Sequence, residues 1–559
     1  MSSKAKTALS LLLIVLLGTV IFTYTVKIRQ PWFGTLSQDH HQWLTGSTLK
    51  FAKNWYNEGP ASLKFAMLEN PRSIEFQSLK DREIYPSYPP GVVVPFYVIG
   101  KILNREPDPA ILMGYNLANQ LLIAVVLSLT AFIFLRFQKF SHLSSFVFAL
   151  IPLMLELLMP APMYWHQNVV FSDQLIILPF VLFIFLEMLR GILKNKSFKV
   201  VKIIQPVIFF IGIFLDWFFV FVALFVFLKR LLNGELGKKF TEIIKNSFLF
   251  AIPALLAMSV FGYQLYVLDV FPALYQKFLF RAGINDFSKT YMSRTDFFKR
   301  FWVEHMSQNY SVFTTWLLWG ALAVVILSLL YLATRYISKK HPSQHLKDLI
   351  FLASLFILPV FTKIYFLKQH SWDHDFTTLA FSPAIALIPL VLFPAGILLV
   401  ILKYKKNIKF SRISAVVSII SFILACLYIS SVFPKYKNQF PEPNLQYKII
   451  GDFLIANTTY SDVLFSPNFE ISSFIYPQQL SYSKKRVYLV KSATEIKKIT
   501  EKIRAPYNIK IFFRIDTAVQ TQWESSLLTI CTKKVVSGDM ILCDVRLKSL
   551  DSLPLKVIP

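Results

Sequence analysis

Runs of about twenty apolar residues recur along this chain up to residue 433, and they constrain its fold more than any other feature. The hydrocarbon core of a bilayer is about 30 Å thick, a distance that an α-helix of about 20 residues spans. Of the 559 residues, 55% are hydrophobic and 54 are Phe, which is more apolar surface than a soluble domain buries in one core. The sequence therefore predicts an all-α polytopic membrane domain with about 11 transmembrane or short membrane helices.

The apolar runs and the positive charges between them predict a consistent topology. The predicted spans are 8–26, 111–135, 143–159, 174–189, 203–228, 248–268, 312–333, 349–366, 381–402 and 413–432. The run 203–228 is predicted to break at Asp216-Trp217 into two short helices, because one unbroken span would place the basic segment 229–245 outside. With the break and an inward amino terminus, all four basic loops become cytoplasmic, at 190–202, 229–245, 335–347 and 403–412.

Much of the formal net charge of +27 lies in these loops. Lys and Arg lie in short segments between apolar runs, where anionic lipid headgroups are the expected partner. The charge is therefore not a sign of nucleic-acid binding, and membrane lipids rather than nucleic acid are the predicted partners.

The composition changes at residue 434 to that of a soluble domain. The chain thus divides into a membrane domain, 1–433, and an extracytoplasmic α/β domain, 434–559, with strands predicted in VLF, RVYLV and IKIFF and a final hairpin. Cys531 and Cys543 flank the hairpin turn. They are predicted either to form a cross-strand disulfide in an oxidising compartment or to be two buried, unpaired thiols.

The face opposite the basic loops carries two isolated acids and a large outer loop, 27–110. Asp39 lies in SQDHHQW, just after the first apolar run, and Asp173 opens the fourth. A carboxylate at a membrane boundary is costly to desolvate, which favours a functional role. The segment from His41 to Trp55 has the spacing of an amphipathic helix, which is predicted to lie along the membrane surface.

In these motifs the chain resembles the GT-C glycosyltransferases, integral membrane enzymes that use lipid-phosphate-linked sugars, and most of all the protein mannosyltransferases and the aminoarabinose–lipid A transferases. Those carry an acid soon after the first span, usually as an Asp-Glu pair before an amphipathic helix. Here the acid is Asp39, and His40 stands where Glu is usual. The stretch YPSYPPG (85–91) before the second long span and Asp173-Gln174 at the fourth match the pattern as well.

The resemblance implies a reaction and two catalytic roles. A sugar passes from a polyprenyl-phosphate donor to an acceptor hydroxyl in one inverting displacement, for which a carboxylate serves as general base. Asp39 is the implied base, and Asp173 is the implied partner that positions the donor. Cationic groups are expected around the departing phosphate.

Further residues on the predicted outer face are candidates for contacts with substrate. They are His40, His41, Tyr85, Tyr88, His166, Arg281, Lys368, His370 and His374. Lys363 and Arg294 are additional candidates for the donor phosphate. No cofactor is predicted with certainty; a divalent metal ion is an option at KQHSWDHDF, where His370, Asp373 and His374 are weak candidate ligands, the alternative being a rim that holds sugar.

The sequence favours the first of three functions, and the other two remain as alternatives. The first is a glycosyltransferase in the bacterial inner (plasma) membrane with its catalytic face outside, acting on an acceptor that the sequence does not specify. The second is a transporter or flippase of lipid-linked or small polar substrates, although transporters place ionisable groups near the midplane and in repeated halves. The third is a polysaccharide polymerase or ligase, which usually carries its large outer loop late in the chain.

Overall fold

The structure, a computed structural model, describes residues 2–36, 41–69, 76–192, 198–237, 239–284, 293–338, 343–404, 410–439, 445–467, 486–514 and 522–553. The helices up to residue 439 are α1 (Ser3–Arg29), α2 (Gln42–Glu58), α3 (Val94–Ile102), α4 (Pro109–Phe137), α5 (His142–Leu158), α6 (Pro160–Asn168), α7 (Ser172–Leu175), α8 (Ile177–Ile192), α9 (Phe198–Leu215), α10 (Phe218–Leu232), α11 (Phe240–Leu268), α12 (Phe271–Arg281), α13 (Arg294–Phe298), α14 (Met306–Asn309), α15 (Val312–Ile337), α16 (Gln344–Phe366), α17 (Lys368–Asp373), α18 (Ser382–Leu387), α19 (Phe393–Tyr404) and α20 (Phe410–Gln439).

Among the described residues, eight helical segments are long and apolar enough to cross a membrane, and the bent pair α5–α6 can form a ninth span. Each apolar run of the sequence coincides with one or two of these helices. The chain is an integral membrane protein, and the predicted fold class is confirmed. A 52° bend between α5 and α6 and a π-helical stretch at Ile388–Leu392 were not predicted, because apolar periodicity carries no signal for either.

The predicted break between α9 and α10 is confirmed at Asp216-Trp217. Asp216 Oδ1 accepts a hydrogen bond of 2.6 Å from the backbone N–H of Phe218, so the carboxylate satisfies an orphan donor at the start of α10. The two helices pack tightly beside the break, because a Cβ on Gly212 would come within 2.3 Å of the Phe219 ring.

Helix α2 has the predicted position in the chain, and its place along the membrane surface stays a prediction. Most of its side chains are buried, on both its polar and its apolar sides. The chain that follows folds back over it: Trp55 Nε1 donates to the carbonyl of Ala66 at 2.8 Å, and Asn54 Nδ2 donates to that of Leu68 at 2.9 Å. Lys50 forms a buried ion pair with Glu69. Other parts of the protein therefore cover much of the polar side of α2 as well as its apolar side.

The carboxyl-terminal part contains a five-stranded mixed sheet, as its sequence pattern predicted. Its elements are α21 (Gln446–Asn457), β1 (Asp462–Ser466), β2 (Val487–Leu489), α22 (Ala493–Thr500), β3 (Asn508–Arg514), α23 (Gln522–Thr529), β4 (Cys531–Ser537) and β5 (Met540–Val545). The strand order is β2-β1-β3-β5-β4, in which β2, β1 and β3 are parallel and β5 is antiparallel to both of its neighbours. Helix α20 continues through the predicted domain boundary at 433/434, and the division into two domains stays a prediction.

The sheet region contacts the segment that follows α2. Phe76 and Ile503 form an isolated β-bridge, and the backbone N–H of Gln77 donates to the carbonyl of Lys502 at 3.0 Å. Arg486, just before β2, pairs with Glu83. The sheet is thereby joined to the same segment that covers α2 and leads to Tyr85 and Tyr88.

Cys531 and Cys543 form a disulfide that links β4 to β5, with their Cα atoms 5.5 Å apart. We expect the double variant Cys531→Ser/Cys543→Ser to lower the stability of the sheet region by about 3 kcal/mol, because the bond closes a loop of modest length. Limited proteolysis should then cut this region faster than in the wild type. Cys426→Ser, at a free cysteine in α20, is the control and should leave the cleavage rate unchanged. Equal rates in all three proteins would contradict this prediction.

Candidate active site

Helix α2 fixes the short connection that leads to Asp173. The hydroxyl of Thr45 donates to the carbonyl of Asn168 at 2.8 Å and accepts from the backbone N–H of Val170 at 3.0 Å. The hydroxyl of Thr48 donates to the carbonyl of Val170 at 2.6 Å. These bonds satisfy backbone carbonyl and N–H groups in the connection between α6 and α7, which helical hydrogen bonds do not satisfy. They thereby set the position of α7 and of Asp173 in its first turn.

Asp173 lies at the centre of a buried ionic cluster. Lys363 Nζ, near the carboxyl end of α16, donates to Asp173 Oδ1 at 2.5 Å and lies 3.9 Å from Asp216 Oδ1. All three side chains are almost fully buried. One ammonium between two carboxylates gives this group a formal charge of −1, and a charged Lys is retained at such depth only with partners of this kind.

The second oxygen of Asp173 faces a histidine and a tyrosine. His370 Nε2 lies 3.6 Å from Asp173 Oδ2 and 3.3 Å from the hydroxyl of Tyr88. Burial lowers the pKa of His370 to about 4, although the nearby carboxylate of Asp173 opposes that shift. Burial also raises the pKa of Tyr88 well above its usual value. Both groups are therefore uncharged near neutral pH, and they contribute hydrogen bonds to the cluster rather than charge.

Arg281, at the end of α12, is the second cation of the cluster. Its guanidinium carbon lies 4.3 Å from the centroid of the Tyr88 ring, and Nη2 donates to the hydroxyl of Tyr85 at 3.4 Å. The side chain is only half-buried. No carboxylate of the described residues lies within ion-pair distance of it, so Arg281 can accept an anionic ligand without giving up an existing ion pair.

A second group of side chains adjoins the cluster through His374. The ring of His374 lies 4.9 Å from that of His370 and stacks on Phe376, also at 4.9 Å. His41, at the start of α2, lies 5.7 Å from His374 between ring centroids, and its Nε2 contacts Asp375 Oδ1 at 3.0 Å. His41 has a φ of 60°, which is uncommon for a residue other than glycine.

The rings of His370 and His374 lie close together, but the three weak candidate metal ligands do not form one group among the described residues. Asp373 accepts hydrogen bonds from Gln369 Nε2 at 3.1 and 3.2 Å, while His370 faces Asp173. In the part of the chain that the structure describes, no three His, Cys, Asp or Glu side chains form a group that could hold a metal ion. Metal binding stays a prediction.

The other predicted site residues lie outside the cluster or outside the described residues. Asp39 and His40 belong to 37–40, which the structure does not describe. His166 is fully buried elsewhere, with Nε2 3.5 Å from Glu156 Oε1 and Nδ1 3.3 Å from the amide oxygen of Asn116. Lys368 begins α17 but forms no hydrogen bond or ion pair with a described residue.

Sequence reasoning missed two parts of the site. Asp216 was predicted only to mark the break between two short helices, although it also flanks Lys363, and Asp375 was not assigned to His41. The sequence did contain a signal for the contact between Asp216 and Lys363, since Lys363 is a lone cation inside a predicted span and requires a buried carboxylate partner. No local signal identifies which carboxylate that is.

Comparison with known proteins gives a fold relationship. No protein-family model and no curated protein sequence matches the chain. Among solved structures, ArnT from Cupriavidus metallidurans in the apo state matches with a TM-score of 0.50 and 10% identity over 98% of this chain and 99% of that one. The archaeal oligosaccharyltransferase AglB from Archaeoglobus fulgidus, in complex with an inhibitory peptide and a dolichol-phosphate, matches with a TM-score of 0.52 and 10% identity over 90% of this chain and 69% of that one.

A further structure of the Archaeoglobus fulgidus oligosaccharyltransferase, in complex with Zn and sulfate, matches with a TM-score of 0.52 and 10% identity over 90% of this chain and 68% of that one. ArnT and this oligosaccharyltransferase are GT-C membrane glycosyltransferases. The chain therefore has the GT-C fold.

Proposed function

We propose that the chain is an inverting glycosyltransferase that moves a sugar from a polyprenyl-phosphate donor to an acceptor hydroxyl at the extracytoplasmic surface of a bacterial plasma membrane. The observation that carries the proposal is the cluster formed by the buried pair of Asp173 and Lys363 together with the half-buried Arg281, which contacts Tyr85 and Tyr88. The GT-C fold supports it, as does the dolichol-phosphate bound by the archaeal oligosaccharyltransferase. The acceptor hydroxyl can belong to a lipid, a glycan or a protein.

Asp39 is the proposed general base. It is separated from His41 by one residue in the sequence, and His41 adjoins the cluster through His374. Asp173 is less suited to this role, because Lys363 occupies one of its oxygens and His370 faces the other. A carboxylate held by a cation is a weak proton acceptor, so Asp173 is proposed to position the donor instead.

The reaction then proceeds as a single displacement. The acceptor oxygen forms a bond to the anomeric carbon while the bond from that carbon to the phosphate oxygen breaks. The acceptor proton passes to Asp39, and the electron pair of the broken bond leaves on the polyprenyl phosphate. Arg281 is proposed to stabilise the charge that develops on this phosphate, since Lys363 is already paired with two carboxylates.

The proposal is tested by incubating membranes that contain the full chain, and that also supply acceptor hydroxyls, with radiolabelled undecaprenyl-phosphate hexoses and pentoses and measuring the release of sugar from the donor. Release from one donor is the expected result, and it would also identify the sugar. Tight binding of undecaprenyl phosphate without release from any donor would overturn the proposal and favour a transporter of lipid-linked substrates.

Arg281→Gln is expected to weaken the binding of undecaprenyl phosphate by about 10- to 100-fold, because a charge-assisted contact with phosphate is lost. Affinity is measured with the detergent-solubilised protein. Arg294→Gln is the matched control, because Arg294 was also a candidate for the phosphate but is exposed at the start of α13. Equal affinities of the two variants would contradict the assignment of Arg281.

A further inference from the structure

The segment that follows α2 folds back on itself as two short antiparallel stretches. The backbone N–H of Glu69 donates to the carbonyl of Glu83 at 2.8 Å, and that of Tyr85 donates to the carbonyl of Met67, also at 2.8 Å. An isolated β-bridge joins the residues between these two pairs. We refer to the two stretches, 67–69 and 83–85, as the ribbon. The ribbon is therefore the element that fixes the backbone of Tyr85.

The position of the ribbon affects the orientation of Arg281. The hydroxyl of Tyr85 accepts a hydrogen bond of 3.4 Å from Nη2 of Arg281. The Tyr85 ring contacts Phe51 of α2 and Phe171, with centroid distances of 5.6 and 6.0 Å. A shift of the ribbon would move this hydroxyl away from the guanidinium that it orients. Because contacts between a guanidinium and an anion depend on geometry, such a shift would weaken the binding of an anion at Arg281.

Two acids lie opposite each other on the ribbon, and each pairs with a cation from a different part of the protein. Glu69 pairs with Lys50 of α2. Glu83 pairs with Arg486, just before β2 of the sheet region. The Arg486 side chain is only 8% exposed, and its guanidinium carbon lies 4.8 Å from the centroid of the Tyr488 ring. Loss of Arg486 would leave two facing carboxylates with one counter-charge, which destabilises the ribbon.

We propose that Arg486 is a positioning residue for the donor-phosphate site, and that the sheet region acts through it to hold the ribbon, and with it Tyr85, beside Arg281. This inference rests on the proposed function, because it takes the ligand of Arg281 to be a lipid phosphate. Arg486 acts through Glu83 and the ribbon rather than by contact with the donor. The carboxyl-terminal sheet region thereby contributes to donor affinity.

A second set of contacts with the sheet region supports this role. Phe76 forms its isolated β-bridge with Ile503, and Gln77 Nε2 donates to the carbonyl of Glu501 at 2.8 Å. These contacts lie just after α22, whereas Arg486 precedes β2. The sheet region thus holds the chain at two separate places, one before the second stretch of the ribbon and one within it. Two separate contacts restrict the movement of the ribbon more than one contact does.

The main rival is that α2 alone positions the ribbon. Arg82, the residue before the second stretch, donates to both carboxylate oxygens of Glu58 at the end of α2, at 2.6 and 3.0 Å. If this pair and the pair of Lys50 were sufficient, the sheet region would only be attached to the ribbon. Loss of Arg486 would then leave Tyr85 and the affinity of Arg281 for phosphate unchanged.

Charge reversal distinguishes the two alternatives. The full chain is prepared in phospholipid nanodiscs as Arg486→Glu, as Glu83→Arg and as the double variant, and its affinity for undecaprenyl phosphate is measured. We expect each single variant to bind about tenfold more weakly, and the double variant to return to within about threefold of wild type, because the ion pair is restored with its charges exchanged. Arg514→Gln is the matched control, since Arg514 pairs with Asp539 inside the sheet region, and it should bind like the wild type.

A thermodynamic cycle tests whether Arg486 acts through Arg281. In the Arg281→Gln background, Arg486→Glu should cause less than about a twofold further loss of affinity, because the contact through which it acts is already absent. A general loss of structure would instead lower the affinity by the same factor in both backgrounds. Additive losses, or a double charge reversal that restores nothing, would overturn the inference.

Hydrogen exchange tests the coupling without any donor. The amide of Tyr85 is bonded within the ribbon, so its exchange rate reports how often the ribbon opens. We expect the peptide that contains Tyr85 to exchange about tenfold faster in Arg486→Glu and in Glu83→Arg, and at the wild-type rate in the double variant. Unchanged exchange in both single variants would contradict the coupling. Faster exchange in a protein whose wild type binds no undecaprenyl phosphate would support the coupling and overturn the proposed donor, so the two failures are distinguishable.

Discussion

Asp39→Asn is expected to lower the turnover number by about 10²- to 10⁴-fold, the usual contribution of a general base. The amide has the size of the carboxylate and much of its hydrogen-bonding capacity, but it cannot take up the proton of the acceptor hydroxyl. Binding of undecaprenyl phosphate should stay within about twofold of wild type, since the proposed phosphate contact is Arg281. The measurement is sugar release under single-turnover conditions, in parallel with lipid-phosphate affinity.

Asp269→Asn is the matched control for this experiment. Asp269 is an exposed acid on the predicted outer face, and it caps α11 in a left-handed conformation (φ 58°) that Asn tolerates well. Its amide variant should turn over at the wild-type rate. Turnover at the wild-type rate in Asp39→Asn would contradict the assignment of Asp39 as the general base. Loss of lipid-phosphate binding together with turnover would show instead that Asp39 acts in binding.

The sequence predicted those features of the fold that depend on local composition. Apolar runs marked each membrane helix, and the distribution of Lys and Arg was sufficient to place the break at Asp216-Trp217. Alternating apolar residues marked the strands, including the hairpin of β4 and β5. The strand order could not be predicted, since the pairing of β1 with both β2 and β3 joins segments that are distant in the chain.

For the candidate site, the sequence predicted several of the residues but not the contacts between them. Asp173 was selected because a carboxylate at a membrane boundary is costly to desolvate, and Tyr88, Arg281 and His370 were selected because they lie on the predicted outer face. The structure brings all four together. Their pairing was not predictable, because Lys363 and Asp173 are 190 residues apart in the sequence. The burial of α2 was also missed, since helical periodicity does not show which segment will cover a polar face.

Lys363→Met is expected to lower the free energy of unfolding by about 3–5 kcal/mol, because breaking a buried ion pair leaves an uncompensated charge. In the wild type, one ammonium and two carboxylates give the buried group a formal charge of −1. The variant leaves Asp173 and Asp216 facing each other without a cation, which raises the formal charge to −2. Stability is measured by titrating the purified protein in mixed micelles with sodium dodecyl sulfate.

The double variant Lys363→Met/Asp173→Asn separates stability from function. It restores the formal charge of −1 in the buried group, so we expect most of the lost stability to return. Turnover should stay low, since Asp173 is proposed to position the donor. A double variant with wild-type turnover would refute that role of Asp173, whereas a Lys363→Met protein as stable as the wild type would show that the ion pair contributes nothing to folding. Recovered stability without recovered turnover is the combination expected if the pair of Asp173 and Lys363 acts on the substrate, because a purely structural role would be restored together with the fold.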